Sequence, residues 1–243
     1  MAKQKTAFVC NDCGSDYAKW QGQCSDCGAW NTLAEVKLGP VGGGGRPGSR
    51  AAAGKSGFAG ALAAARVLKD IDLDDLPRFS SGADEFDRVL GGGLVPGSAV
   101  LVGGNPGAGK STLLLQTMAA TTEALYVTGE ESLQQVAMRA NRLKLPTDRL
   151  RLMSETNVET IVAAAEEFGP KVLVVDSIQV VHSAEIASAP GSVSQVRECA
   201  AYLTRFAKQT GTVLFLVGHV TKDGSLAGPK VLEHMIDCSI LLE

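Results

Sequence analysis

An α/β fold on a mostly parallel sheet, preceded by a small four-cysteine metal module, is predicted by three features of the sequence. Short, continuously apolar runs alternate with helical patterns from about residue 76 onward. A glycine-rich loop, Gly-Asn-Pro-Gly-Ala-Gly-Lys-Ser at 104–111, follows one of those runs. Two Cys-x-x-Cys pairs, Cys10/Cys13 and Cys24/Cys27, lie near the amino terminus.

Composition sets the class. The chain has 243 residues, 45% hydrophobic and 20% charged, within the range of soluble globular proteins. No apolar stretch reaches the roughly 18 residues of a membrane span, so none is expected. The start, MAKQKTAFVC, lacks the apolar core of a signal peptide, so the expected location is cytoplasmic. The net charge of −3 is unevenly spread: residues 1–70 carry +4 and the remainder −7. A basic amino-terminal part fits either an anionic partner or a solvated tail.

The first element is residues 1–36. Without an export signal, clustered cysteines favour metal over disulfides. Each pair is followed by glycine, Gly14 and Gly28, where the turn after the second cysteine requires positive φ. Four thiolates from Cys10, Cys13, Cys24 and Cys27 make a closed tetrahedral site, expected to hold structural zinc. Iron or a redox dithiol pair are the alternatives. A module this small cannot build a core, so the metal is expected to supply its folding energy. Trp20 and Trp30 are expected to cover the site, or else to stack on a base or partner. Cys199 and Cys238 lie on apolar faces and read as small buried hydrophobes.

The second element, 37–75, is an expected flexible linker: GPVGGGGRPGSRAAAGKSGFAGALAAAR offers almost nothing to bury. The third, 76–243, holds the expected strands SAVLVG, ALYVT, KVLVVD, TVLFLVG and DCSILLE. Their unbroken apolarity predicts strands covered on both faces, joined by right-handed crossovers. Ser132-x-x-Gln135, Thr156-x-x-Glu159 and Ser192-x-x-Gln195 read as capping boxes. The helix after Ser192 places Val196, Cys199, Leu203 and Phe206 on one face and stops before Gly211. The sequence has no internal repeat.

The loop at 104–111 has the spacing that cradles phosphates. Gly104, Gly107 and Gly109 let backbone N–H groups turn inward, with Asn105, Pro106 and Ala108 between them. Lys110 is the expected cation at the β- and γ-phosphates and Ser111 the expected magnesium ligand. Thr112 is expected to open the helix whose N-terminus faces the phosphates. ATP with magnesium is the implied ligand. Asp176 ends an apolar strand, where a carboxylate reaches the phosphate crevice and completes the magnesium shell; alternatively it is a strand terminator or helix cap. Glu130 and Glu131 follow another strand at the same edge. Glu130 is the expected base that activates water, whereas Glu131 reads better as favouring the next helix's N-terminus.

Six segments together carry a resemblance: KWQGQCSDCGAWNT, RVLGGGLVPGS, YVTGEES, VVDSIQ, APGSVSQVRE and GHVTKDGSLAGPKVLEHMID. They resemble the bacterial RadA (Sms) DNA-repair ATPases, whose core is RecA-like, from Cys10 to the chain end apart from the linker. The resemblance implies a DNA-stimulated ATPase that forms a homo-oligomeric, hexameric ring on single-stranded or branched DNA. It implies branch migration of recombination intermediates together with a RecA-type recombinase. Lys110 and Ser111 match the family's loop residues, Asp176 its second acidic motif and Glu130 its catalytic glutamate. His219 falls where RecA-like proteins keep a polar γ-phosphate sensor; without the resemblance it reads as a structural residue. Segments 180–195 and 219–230 match the two central DNA loops, and Lys222 and Lys230 are the expected phosphate contacts.

The family's chains continue through a Lys-Asn-Arg-Phe-Gly motif into a Lon-protease-like domain, so this sequence is expected to be the amino-terminal part of a longer protein. That part alone is expected to bind nucleotide, turn it over slowly and associate weakly. Two other readings compete: a KaiC-related signalling ATPase without DNA, and a zinc-dependent interaction module switched by nucleotide.

Overall fold

A computed structural model describes residues 5–10, 15–38, 77–121, 123–220, 226–227, 232 and 234–243. Most of the expected linker, together with Cys13, Lys222 and Lys230, lies outside the described residues.

The amino-terminal module is a three-stranded antiparallel sheet in the order β2-β1-β3. The strands are β1 (Lys5–Cys10), β2 (Asp16–Tyr17) and β3 (Leu33–Leu38). β1 pairs with β3 from Lys5 opposite Leu38 to Cys10 opposite Leu33. These strands carry too little apolar alternation to announce themselves. Their small core is Cys10, Cys24 and Leu33, with Phe8 and Tyr17 packed against it.

The body opens with the short α1 (Asp84–Val89) and continues β4 (Ala99–Gly104), α2 (Lys110–Ala120), β5 (Ala124–Thr128), α3 (Leu133–Arg142) and β6 (Leu150–Ser154). It proceeds through α4 (Val158–Phe168), β7 (Val172–Asp176), α5 (Val193–Thr210), β8 (Val213–Val217), β9 (His219–Val220), β10 (Leu226–Ala227) and β11 (Cys238–Leu242). Six strands form one sheet in the order β11-β4-β8-β7-β5-β6, and every pair is parallel.

Unbroken apolarity in the inner strands follows from burial on both faces. Leu101, Val127, Leu173, Val175 and Leu216 meet α4 and α5 on one side. Val102, Tyr126, Val174, Phe215 and Val217 meet α2, α3 and Phe86 of α1 on the other. Phe86 stacks on Phe215 with centroids 6.0 Å apart. All five expected strands are present. β6 was not among them: it is an edge strand, half exposed, and its Arg151 interrupts the apolar pattern to sit 4.2 Å over the Phe168 ring. The antiparallel pairing of β9 with β10 was also unforeseen.

Of the three expected capping boxes, only Ser132 with Gln135 is complete. Ser192 caps α5 through the Gln195 amide, but the Gln195 side chain is buried against the preceding loop. Its carbonyl oxygen accepts from Ser183 N–H, and its amide donates to the carbonyls of Ser183, Ile186 and Ser188. The box at Thr156 does not form. Asn157 caps α4 instead, accepting from the N–H and hydroxyl of Thr160 at 2.8 Å each, and Glu159 accepts from Ser183. An asparagine one residue further on is the better N-cap and wins the position. Gly169 and Gly211 close α4 and α5 in the left-handed conformation.

Candidate functional site

The order of the sheet decides where chemistry can gather. β5 and β7 are neighbours with Thr128 opposite Asp176, so the segments leaving both strands emerge side by side. β8 separates β7 from β4, whose end leads into the glycine loop and α2.

Gly104 ends β4 at φ 152°, and a Cβ there would stand 2.5 Å from the Leu242 carbonyl oxygen of β11. Gly107 and Gly109 hold φ 85° and 96° beside open space, and Ala108 N–H closes a turn on Asn105 O at 3.1 Å. This backbone presents amides rather than side chains to whatever lies in the loop. α2 begins at Lys110, ahead of the expected start at Thr112. Lys110 is buried, and its ammonium donates to Gly104 O at 2.7 Å and Asn105 O at 3.0 Å. Burial pushes its pKa below the ordinary lysine value, while the charges of Asp176 and Glu130 oppose that shift.

Across from the loop, Asp176 accepts a hydrogen bond from the hydroxyl of Tyr126, a fully buried residue of β5. Burial, then the charge of Asp176, raises the Tyr126 pKa far above the ordinary tyrosine value; the hydroxyl stays protonated and donating. Glu130 accepts from the Ser177 hydroxyl, and Gly129 N–H ties the β5 turn to Asp176 O at 2.8 Å. Glu131 immediately precedes Ser132, the N-cap of α3; its backbone N–H and C=O both bond the Thr128 hydroxyl, and its carboxylate pairs with Arg139 of the same helix.

Lys110, Ser111, Glu130, Glu131, Arg139 and Asp176 line one cavity of about 300 Å³, together with Pro106, Thr112 and the loop glycines Gly107 and Gly109. Sequence reasoning missed Arg139, Tyr126 and Ser177. Arg139 carried a usable signal, lying two helical turns beyond Glu131; Tyr126 carried one only in being the polar-tipped residue of an apolar run. His219 opens β9 at the same edge of the sheet, with its backbone opposite Ala227.

In the module, the sulfurs of Cys10, Cys24 and Cys27 all lie within 4.8 Å of one another. The Cys10 and Cys27 sulfurs are 3.7 Å apart, close to the ~3.8 Å that tetrahedral geometry with Zn–S bonds of ~2.3 Å requires. The Cys24 turn is built for ligation: Cys24 O accepts from Gly28 N–H at 2.9 Å and Gly28 holds φ 73°. The hydroxyls of Thr32 and Tyr17 stand 3.1 and 3.2 Å from the Cys10 and Cys24 sulfurs, the outer-shell contacts that orient metal thiolates. These residues fit a structural metal ion. The indoles do not cover it: Trp20 and Trp30 are 57% and 69% exposed and flank Gly22. Tyr17 and Thr32 occupy the covering positions instead.

Residues 68–225 match the family model described as an AAA domain. The chain belongs to the AAA domain family. Residues 8–35, ahead of that match, fit a rubredoxin metal binding domain. The whole chain is similar to proteins named DNA repair protein RadA. Identity is 64% over 249 residues with that of Escherichia coli strain K12, and covers 53% of the relative. It is 61% over 252 residues with that of Haemophilus influenzae, covering 53%. With the Bacillus subtilis protein it is 47% over 247 residues, also covering 53%. This AAA family chain therefore spans about half the length of the curated relatives it matches, and the resemblance read from the six sequence segments extends along all of it. Among the described residues no helix is long and apolar enough to cross a membrane.

Proposed function

We propose that this chain is the metal-carrying, ATP-hydrolysing part of a DNA-repair ATPase. The carrying observation is the single cavity in which Lys110, Ser111, Glu130 and Asp176 converge on the glycine loop. The loop from Gly104 to Thr112 cradles the phosphates by backbone amides, Lys110 neutralises the β- and γ-phosphates, and Ser111 with Asp176 holds magnesium. Glu130 takes the proton from the water that attacks the γ-phosphorus, as the bond from that phosphorus to the β–γ bridging oxygen breaks and ADP leaves with the oxygen. The Ser177 hydroxyl orients the Glu130 carboxylate. His219, at the same sheet edge, senses the γ-phosphate. The cysteine cluster holds zinc as a structural ion, and the chain divides into a module at 1–36, a linker at 37–75 and an ATPase body at 76–243.

Similarity to the RadA proteins supports the biological half of the reading: a cytoplasmic ring-shaped motor, hexameric in its full-length form, working on single-stranded or branched DNA beside a RecA-type recombinase. Lys222 and Lys230 contact DNA phosphates in that state.

ATP binding and turnover, each with and without single-stranded DNA, test the proposal. Lys110→Ala should weaken binding and abolish hydrolysis, whereas Glu130→Gln should keep binding and lose turnover. Near wild-type hydrolysis by Glu130→Gln would remove that residue from its role; turnover indifferent to DNA would favour a signalling ATPase.

A further inference from the structure

We propose that Arg139 is a contact in cis for the γ-phosphate, held in reserve by Glu131 until a nucleoside triphosphate enters. The inference rests on the nucleotide reading above and adds a residue to it.

Position is the first argument. Arg139 and Glu131 line the same cavity as Lys110, Ser111 and the loop glycines, and Arg139 and Lys110 are the two cations facing it among the described residues. Glu131 is the chain neighbour of Glu130, the proposed base, so the pair stands at the end of the cavity where the terminal phosphate reacts. The loop glycines, at the other wall, take the inner phosphates.

The second argument is how poorly the pair satisfies itself. One Arg139 nitrogen, Nη2, donates to Glu131 Oε1. The remaining terminal atoms, Arg139 Nη1 and Glu131 Oε2, are both out of water with no hydrogen-bond partner. A structural arginine–carboxylate pair ordinarily closes as a two-pronged fork and leaves neither atom orphaned. Buried polar groups without partners are rare and each calls for a cause, and a site that a ligand completes is one such cause. A phosphate offers the guanidinium two charged oxygens for a two-pronged contact, where Glu131 supplies one.

The third argument is that the backbone on both sides of the pair is fixed, so exchange of partner needs only side-chain rotation. Glu131 is pinned through its backbone to the Thr128 hydroxyl, and α3 is set by the complete capping box at Ser132. Movement is thereby confined to the Arg139 side chain. Glu131, its side chain 35% exposed, can be solvated once released. Because Glu131 and the γ-phosphate compete for one guanidinium, the two residues must act in opposite directions on triphosphate affinity.

That opposition is the test. Affinities for magnesium-ADP and for a magnesium-bound non-hydrolysable ATP analogue are measured by calorimetry on the wild-type chain, Arg139→Gln, Arg139→Lys and Glu131→Gln, with unfolding midpoints alongside. Arg139→Gln should weaken the triphosphate roughly 10- to 100-fold and leave ADP within about twofold. Arg139→Lys, which keeps the charge and guards against a folding defect, should fall between. Glu131→Gln should tighten the triphosphate several-fold with ADP unchanged. Equal effects on ADP and triphosphate, or weakening by both Arg139→Gln and Glu131→Gln, would show a merely structural pair and overturn the proposal. A wild-type chain that binds neither nucleotide overturns the nucleotide reading as well.

Discussion

Tyr126 carries two roles in one side chain. Its ring belongs to the apolar cluster under α2, and its hydroxyl donates to Asp176. Tyr126→Phe keeps the ring and deletes the link, so stability should fall by only about 1 kcal/mol. Asp176 would no longer be held for the metal, and the magnesium concentration needed for half-maximal hydrolysis should rise several-fold. An unchanged magnesium titration would reduce Tyr126 to packing. Lys110 makes a pH prediction. Its folded pKa is depressed by burial below the ordinary 10.5, so without nucleotide the unfolded chain binds more protons in the window between the two values. Its contribution to stability therefore rises with pH through that alkaline window. ATP restores the charged form, so binding there should take up a proton and weaken as pH rises; calorimetry in buffers of different ionisation heat reads the uptake directly. Proton release, or none, would contradict the assignment. The glycines and Lys110 were legible because their spacing encodes backbone geometry. Tyr126 was not, because a tyrosine inside ALYVT reads as core until its partner, fifty residues away, is in place.

At the scale of elements, the segments that leave the strands beside the site are held close enough to forbid a methyl group. Gly129 leaves β5 just before Glu130, and a Cβ there would stand 2.3 Å from Val180 Cγ2 and 3.2 Å from Thr156 Cγ2. Valine is stiff about χ1, so relief must come from the turn that carries Glu130. Gly129→Ala should therefore cost about 1–3 kcal/mol by overpacking and lower turnover more than ATP affinity. Denaturant unfolding beside turnover and binding separates the two; a destabilised variant with normal turnover would show that Val180 yields instead. The element pattern was legible where burial is two-sided, as in β4, β5, β7 and β8, because nothing polar interrupts those runs. It failed at the edge strand β6, which mixes Arg151 with apolar residues. It failed again at α4, where the tertiary bond from Ser183 took Glu159 away from the expected cap. Strand order was not readable either: β8 enters between β4 and β7 through crossover packing that local pattern does not encode.

The whole molecule joins two unlike ways of staying folded. The body buries two large apolar clusters, one on each face of its sheet, and among the described residues neither contains one from the module. The module's own cluster is Cys10, Cys24 and Leu33 with Phe8 and Tyr17, and two of those residues belong to the cysteine group whose sulfurs are spaced to hold a metal ion. Apolar burial on that scale cannot offset the ordering entropy of the chain around it, so metal binding must supply the difference. Removing the ion should then unfold the module alone. Chelation, or Cys24→Ser, should release the metal and leave the body's calorimetric transition and its ATP affinity within error of the untreated chain. Metal content by elemental analysis, calorimetry and nucleotide titration on the same samples give the three readouts. Cys24→Ser that keeps full metal would argue against a four-thiolate site. Loss of ATP binding on chelation would argue against independence: the module would then have to pack on the body, and its metal would hold the nucleotide site as well as its own three strands.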